Sequence, residues 1–287
     1  MNIQTTSRLT SQELTAQITR HIEEIAEATD TAKVSAEMLR YLETTARFHK
    51  YSIQNIWLIM MACPHATRVA GFHQWKSMNR FVRKGEHGIP ILAPIFTTVK
   101  ESDTDAEARE TGPENGLESR RFLTGFKVVR VFDISQTDGD PLPDLNWTSR
   151  EKLAELHERL VSYAQGMGIT VTVKELHGET QGISKGGSIE ISPDAGTATL
   201  IHELAHELLH KSGEHGTLTR QEREIEAEAV AFVVSRHFGL ENKVPSANYL
   251  AIWSGSKESI LAHLERIHKA AVMIIEGIDQ VERITTS

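Results

Sequence analysis

The run Leu200-Ile201-His202-Glu203-Leu204-Ala205-His206-Glu207-Leu208-Leu209-His210 constrains this chain more than any other stretch. On a helix each residue turns about 100°, so positions four apart lie nearly above one another, and His202 and His206 offer two imidazole nitrogens to one point. Ile201, Leu204, Ala205, Leu208 and Leu209 fall on one arc of the wheel, the histidines follow along its border, and Glu203 and Glu207 lie beyond. The point between the imidazoles suits a zinc ion. Zinc takes neutral imidazole at about 2.0–2.1 Å, and its catalytic sites commonly add a carboxylate and leave the fourth position to water. Glu203 is then expected beside that water as the catalytic general base. The bland alternative is an amphipathic surface helix with a His-rich polar side, and a third ligand decides between the two.

That ligand is expected within Arg220 to Val234, which reads as a second helix. On a wheel Glu226 falls among Ala229, Val230 and Val233, whereas Glu228 shares its side with Glu224 and Ser235. A carboxylate on a buried face needs a cation. The metal set is therefore expected to be His202, His206 and Glu226, with Glu228 the alternative that helical spacing disfavours. Zn2+ is the expected ion, and other divalent metals remain open.

At 287 residues, 39% hydrophobic and 24% charged, the chain has room for two domains of ordinary globular composition. Cys63 is the only cysteine, which excludes an internal disulfide and a Cys-based zinc site and points to a reducing, cytoplasmic setting. The longest apolar run, Ile56 to Cys63, falls short of the ~20 residues of a membrane-spanning helix. The first eight residues show no basic segment followed by an apolar one, so neither a signal peptide nor a membrane partner is expected. The net charge of −8 argues against nucleic acid at first. It is unevenly placed: seven acids and one arginine crowd residues 101–118, and the rest of residues 1–140 is net positive and suited to phosphates.

Along the chain, residues 11–28 and 34–49 carry Leu14, Ile18, Ile22 and Ile25, then Met38, Leu42 and Phe48, at helical spacing. Tyr51 to Cys63 is apolar all round, ends at Pro64 and predicts a buried helix. Residues 67–100 hold six basic residues against Glu86 alone, interleaved with aromatics. Basic groups track a phosphodiester backbone and aromatic faces stack unpaired bases, so Arg68, Phe72, Trp75, Lys76, Arg80, Arg83 and Lys84 are candidate contacts to single-stranded DNA. The competing reading assigns Phe72, Trp75 and Phe81 to a small core with a basic rim. Residues 89–96 and 122–132 read as strands paired across an acidic loop at about 101–118. Asp138 to Pro143 reads as a linker, which puts a domain boundary near 140–147.

Thr148-Ser149-Arg150-Glu151 is a capping box opening a helix with Leu153, Leu156 and Leu160 inside. Ile169 to Val173 and Ser188 to Ser192 read as strands, the second able to pair with an extended peptide. Residues 257–276 form a last helix with Leu261, Leu264, Ile267, Ala271 and Ile274 facing in. The expected class is α+β with two domains, a helix-plus-small-sheet DNA-binding domain over 1–140 and a metallopeptidase domain over 148–287.

With both halves read, the sequence resembles the ArdC-type antirestriction proteins of conjugative plasmids and related mobile elements. The resemblance lies in Tyr51-Ser52-Ile53-Gln54-Asn55-Ile56-Trp57-Leu58, in Ala66 to Phe72 with Trp75, and in Val82-Arg83-Lys84-Gly85-Glu86-His87-Gly88-Ile89 before Ile91-Leu92-Ala93-Pro94. In the back half it lies in His202-Glu203-Leu204-Ala205-His206 and Glu226-Ala227-Glu228-Ala229-Val230-Ala231-Phe232. It implies an N-terminal single-stranded-DNA-binding domain, a C-terminal zincin-like metallopeptidase domain, and protection of incoming DNA from host restriction. One position departs. Many zincins carry Asp or Asn four residues after the glutamate ligand to orient a histidine, and counted from Glu226 that place is Val230, so support for the ligands must come from elsewhere. Two rivals stand beside this reading: a repressor-cleaving peptidase resembling the ImmA/IrrE type, acting on a protein or peptide substrate, and a non-catalytic DNA-binding protein whose metal is structural.

Overall fold

The computed structural model describes residues 9–28, 30–99, 120–142, 150–210, 218–241 and 256–285. The acidic loop expected at 101–118, and residues 143–149 of the expected linker and capping box, lie outside them. The architecture is α+β, with helices packed together and strands in small sheets beside them.

Helix α1 (Ser11–Glu27) opens in a capping box, Thr10 Oγ1 accepting from Glu13 N while the Glu13 carboxylate accepts from Thr10 N, and it buries the predicted stripe of Leu14, Ile18, Ile22 and Ile25. Helix α2 (Thr31–Phe48) starts on Asp30, whose carboxylate takes the N–H groups of Ala32 and Lys33. Helix α3 (Ile53–Ala62) is buried through Ile56 to Met60, and Trp57 stacks on Tyr41 of α2 with centroids 4.4 Å apart.

Strand β1 (Val69–Gly71) leads into the short helix α4 (Phe72–Ser77) and strand β2 (Arg80–Val82). Strands β3 (Ile89–Val99) and β4 (Arg120–Asp133) form the expected antiparallel pair, with β1 on the other edge of β4 in the order β1-β4-β3. Strand β5 (Thr137–Gly139) pairs with β2. The outer edge of β3 would leave Leu92 with buried, unmet backbone groups. Asn55 of α3 answers both: its Nδ2 donates to Leu92 O at 2.9 Å and its Oδ1 accepts from Leu92 N at 2.8 Å. A side-chain amide thus takes the place of a neighbouring strand and fixes the hairpin against α3.

The back half runs α5 (Arg150–Gly166), β6 (Thr170–Val173), β7 (Gly182–Ser184), β8 (Ser188–Ile191), α6 (Thr197–His210), α7 (Arg220–His237) and α8 (Lys257–Thr285). The sheet order is β6-β8-β7, with β6 parallel and β7 antiparallel to β8. β8, expected to offer an edge to a peptide, sits in the middle with both edges paired. The accessible edge beside α6 belongs to β7, a three-residue strand too short to show in a hydropathy pattern.

One buried apolar cluster extends from Leu14 of α1 to Ile278 of α8 and crosses the expected boundary near 140–147. Polar ties follow the same contact: His237 Nδ1 donates to Ala46 O at 2.9 Å, and His268 Nε2 donates to His49 O at 3.1 Å. Lys257 of α8 pairs with Glu23 of α1 at 2.7 Å. Among the described residues no helix is long and apolar enough to cross a membrane.

Replacing Asn55 by Ala leaves the Leu92 N–H and C=O buried without partners. It is expected to cost about 1–3 kcal/mol, read as a lower urea midpoint with an unchanged slope, whereas Gln54→Ala on the exposed side of α3 should leave the midpoint in place.

Candidate metal centre

Helix α6 buries Leu200, Ile201, Leu204 and Ala205 in the core, which leaves His202 and His206 on its border, half-buried and one turn apart. Their Nε2 atoms stand 3.1 Å from each other. The carboxylate that joins them is Glu224 of α7, with Oε2 3.6 Å from His202 Nε2 and 3.5 Å from His206 Nε2. A triangle with those edges has a circumscribed radius of about 2 Å, which is the zinc–nitrogen and zinc–oxygen distance. Among the described residues this is the one group of three such donors close enough to share an ion. The fit is good on donor chemistry and on spacing. Burial lowers the His206 pKa to about 4, keeping the ring in its neutral, ligating form. Contact with His202 and His206 lowers that of Glu224 to about 2, keeping it ionised.

Glu226, the expected third ligand, is on the buried face as predicted, with none of its surface exposed. It does not reach the ion site. Its Oε2 meets His210 Nε2 at 3.1 Å, and its Oε1 meets His263 Nδ1 at 2.6 Å and accepts from Arg266 Nε at 2.8 Å. The cation its burial requires is the guanidinium of Arg266 on α8, so the physical premise holds and the identity of the cation changes. Burial by itself would raise its pKa, but the bonds from His210, His263 and Arg266 outweigh that and bring it to about 2. Glu224, assigned to the solvated side by helical spacing, has a side chain 46% exposed and still faces the histidines, because α7 presents its border to α6. Four residues after Glu224 stands the half-buried Glu228.

Glu203 lies on the wall of a cleft of about 630 Å³ that also takes in His202, His206, His210, Glu224, Arg220 and Arg223. It is buried against β7. A Cβ at Gly182 would stand 2.6 Å from Glu203 Cγ and 2.7 Å from its Oε1, so only glycine leaves room for this carboxylate. Burial raises the Glu203 pKa, the direction that favours taking up a proton. What holds β7 there is Glu207, a residue sequence reasoning passed over. One oxygen accepts from Ser184 Oγ at 2.8 Å, Lys185 N at 3.1 Å and Gly186 N at 2.8 Å, and the other accepts from Gly187 N at 2.6 Å. The Gly186-Gly187 pair, both at positive φ (74° and 114°), is the signal that a tight turn wraps an anion here.

The seven candidate DNA contacts separate. Trp75 is 1% exposed and its Nε1 donates to Phe132 O at 2.8 Å, so it is a core residue and no stacking platform. Arg80 is buried too, with Nε donating to Thr137 Oγ1 at 2.9 Å and Nη2 to Thr137 O at 3.1 Å, a brace between β2 and β5. Arg83 is exposed but spends its guanidinium on Glu86 at 2.8 Å and Asp138 at 3.4 Å. Phe72, Lys76 and Lys84 are exposed, and Arg68 is half-buried. A stronger aromatic and basic display lies outside these seven: Phe96, Phe122 and Phe126 on the β3–β4 hairpin are each about half exposed, with Arg121 placed 5.0 Å over the Phe96 ring and Lys127 exposed in β4.

Residues 9–132 match the family model for the N-terminal domain of anti-restriction factor ArdC, which puts a domain of that kind at the front of this chain. Over those residues the chain is similar to the anti-restriction factor ArdC family. An uncharacterized protein of Bacillus anthracis is 26% identical over 282 residues, covering 85% of this chain and 48% of the relative. The chain thus spans about half the length of that protein. The uncharacterized protein y4eC of Sinorhizobium fredii is 26% identical over 223 residues, covering 70% and 68%. Among solved structures, the metal-free crystal structure of the antirestriction ArdC protein from R388 plasmid gives a TM-score of 0.46 at 19% identity, covering 79% of this chain and 85% of that one. Its Mn(II)-bound structure gives 0.44 at 19% identity, covering 83% and 97%.

The ligand geometry sets a direct expectation. Glu224→Ala should leave the protein without stoichiometric divalent metal, since two imidazoles under-coordinate the ion, whereas Glu226→Gln should still reach one equivalent at saturating zinc. Metal stoichiometry titrated to saturating zinc distinguishes the two; a Glu226→Gln protein that takes up none beside a Glu224→Ala protein that reaches one equivalent would reverse the assignment.

Proposed function

We propose that this chain acts in antirestriction, binding incoming mobile-element DNA as a single strand through residues 1–140, and that residues 148–287 form a zincin-like metallopeptidase domain. The observation that carries the DNA reading is the exposed aromatic and basic display of the β3–β4 hairpin, with Phe96, Phe126 and Arg121 on one face and Phe122 and Lys127 on the other. Exposed rings cost solvation, and beside cations they suit unpaired bases on a phosphate backbone. Phe72, Phe81, Lys76 and Lys84 add a second group of the same composition. Arg80 and Trp75 serve this surface by holding its strands.

For the peptidase reading, His202, His206 and Glu224 would hold a divalent ion, zinc by preference. Such an ion supplies Lewis-acid polarisation of a carbonyl and activation of water. The chain supplies the rest. Glu203, walled in by Gly182, is placed to take a proton at its carboxylate and hand it on. The outer edge of β7, clamped by Glu207, offers backbone groups to an extended peptide. Arg220 and Arg223 line the same cleft with positive charge.

Two experiments test the two halves. Arg121→Glu with Lys127→Glu should weaken binding to a single-stranded oligonucleotide and flatten its salt dependence, the log–log slope falling by about 0.7 for each phosphate no longer neutralised, while metal content stays at one equivalent. Binding that is unaffected would move the DNA site away from the hairpin. Glu203→Gln should keep the metal and the DNA affinity and abolish any peptide hydrolysis, with DNA protection in a restricting host retained. Loss of protection in that variant would contradict shielding by occupancy and favour the protein-cleaving rival.

A further inference from the structure

The outer nitrogen of His206 is not left to solvent. With Nε2 turned to His202 and Glu224, its Nδ1 stands 3.0 Å from Nδ1 of His210, one turn further along α6. His210 is buried, and its Nε2 stands 3.1 Å from Oε2 of the fully buried Glu226. Glu226 in turn is gripped at Oε1 by His263 and Arg266, both from α8. The donors and acceptors of this row can be ordered in one way. A ligand that binds through Nε2 must carry its proton on Nδ1, so His206 donates and His210 Nδ1 accepts. A neutral His210 then has its proton on Nε2, and that group donates to the Glu226 carboxylate. Each hydrogen bond in the row requires the next, and the row ends on an anion whose charge is met by Arg266.

We infer that His210 and Glu226 are positioning residues for the metal ligand His206, fixing its tautomer and ring orientation through the row His206–His210–Glu226 anchored on His263 and Arg266 of α8. The inference rests on the metal reading of His202, His206 and Glu224. Metal-ligating histidines commonly give their other ring nitrogen to a carboxylate or carbonyl; here Glu226 acts across a second histidine, and its own anchor lies 37 and 40 residues away on α8. Partners of this kind orient the ring and raise its basicity, and removing them typically weakens metal affinity about 10- to 100-fold.

The test uses the full chain and zinc, with affinity measured against a competing chelator, and nitrogen-15 histidine spectra of the metal-free protein. His210→Leu keeps bulk and removes the acceptor; it should weaken zinc binding about 10- to 100-fold and release His206 from its Nδ1–H form. His210→Gln restores an acceptor and should recover most of the affinity, which a purely structural role for the ring would not predict. Glu226→Gln keeps shape, breaks the chain at its anion, and should weaken zinc in the same direction, covering the case in which His210→Leu does not fold. Zinc bound as tightly by His210→Leu and Glu226→Gln as by the wild type, or a wild-type His206 protonated on Nε2, overturns the inference. Failure of the metal reading looks different: the wild type binds no stoichiometric zinc, and the positioning role falls with it even where His206 shows the Nδ1–H form.

Discussion

A carboxylate buried in the middle of three packed helices governs the back half of this protein. Glu226 has no exposed surface, and an ion in such a place is tolerated only where opposite charge and hydrogen bonds meet it. They come from two other helices, His210 from α6 and His263 with Arg266 from α8. Satisfying one anion therefore sets the rotation of α6, α7 and α8 about their axes. With that rotation given, His202 and His206 face the cleft, and the next acid along the border of α7, Glu224, stands at 3.5–3.6 Å from both. The buried acid organises the site and the half-exposed acid serves it.

A second buried acid does comparable work on the cleft's other wall. Glu207 gathers three backbone N–H groups and a hydroxyl from the turn after β7, so the strand is tied to the helix that carries the histidines. Gly182 lets β7 approach until it touches Glu203. Helix, strand and the Glu203 carboxylate are thus set by one carboxylate and one missing side chain. In the front half Asn55 plays the matching part, closing the edge of β3 with its own amide, so that the hairpin with its exposed rings is seated on α3.

Much of this was legible in the residues. The stripes of α1, α2 and α8, the buried α3, the pairing of β3 with β4 and the two histidines of α6 follow from periodicity, which local sequence records well. The acid that meets the two histidines did not follow, for a physical reason. Helical spacing ranks positions by burial, and the acid beside His202 and His206 stands on the half-buried border, whereas the most buried acid belongs to the core. The partner that makes Glu226 tolerable, Arg266, is 40 residues away, and no local pattern announces it. Composition likewise placed aromatic and basic residues in the right part of the chain without telling Trp75 and Arg80, which face inward, from Phe96 and Phe126, which face out. Strand β7, three residues long, has no periodicity to read.

On this geometry an ion would sit between His202, His206 and Glu224 while Glu226 stays in the core. Anomalous diffraction at the zinc edge, from crystals of the full chain grown with zinc, locates the ion without reference to activity. A single strong peak is expected about 2 Å from the Nε2 atoms of both histidines and from a Glu224 oxygen, with Glu226 still bonded to Arg266. A peak coordinated by Glu226, with Arg266 displaced and Glu224 turned to solvent, would contradict it.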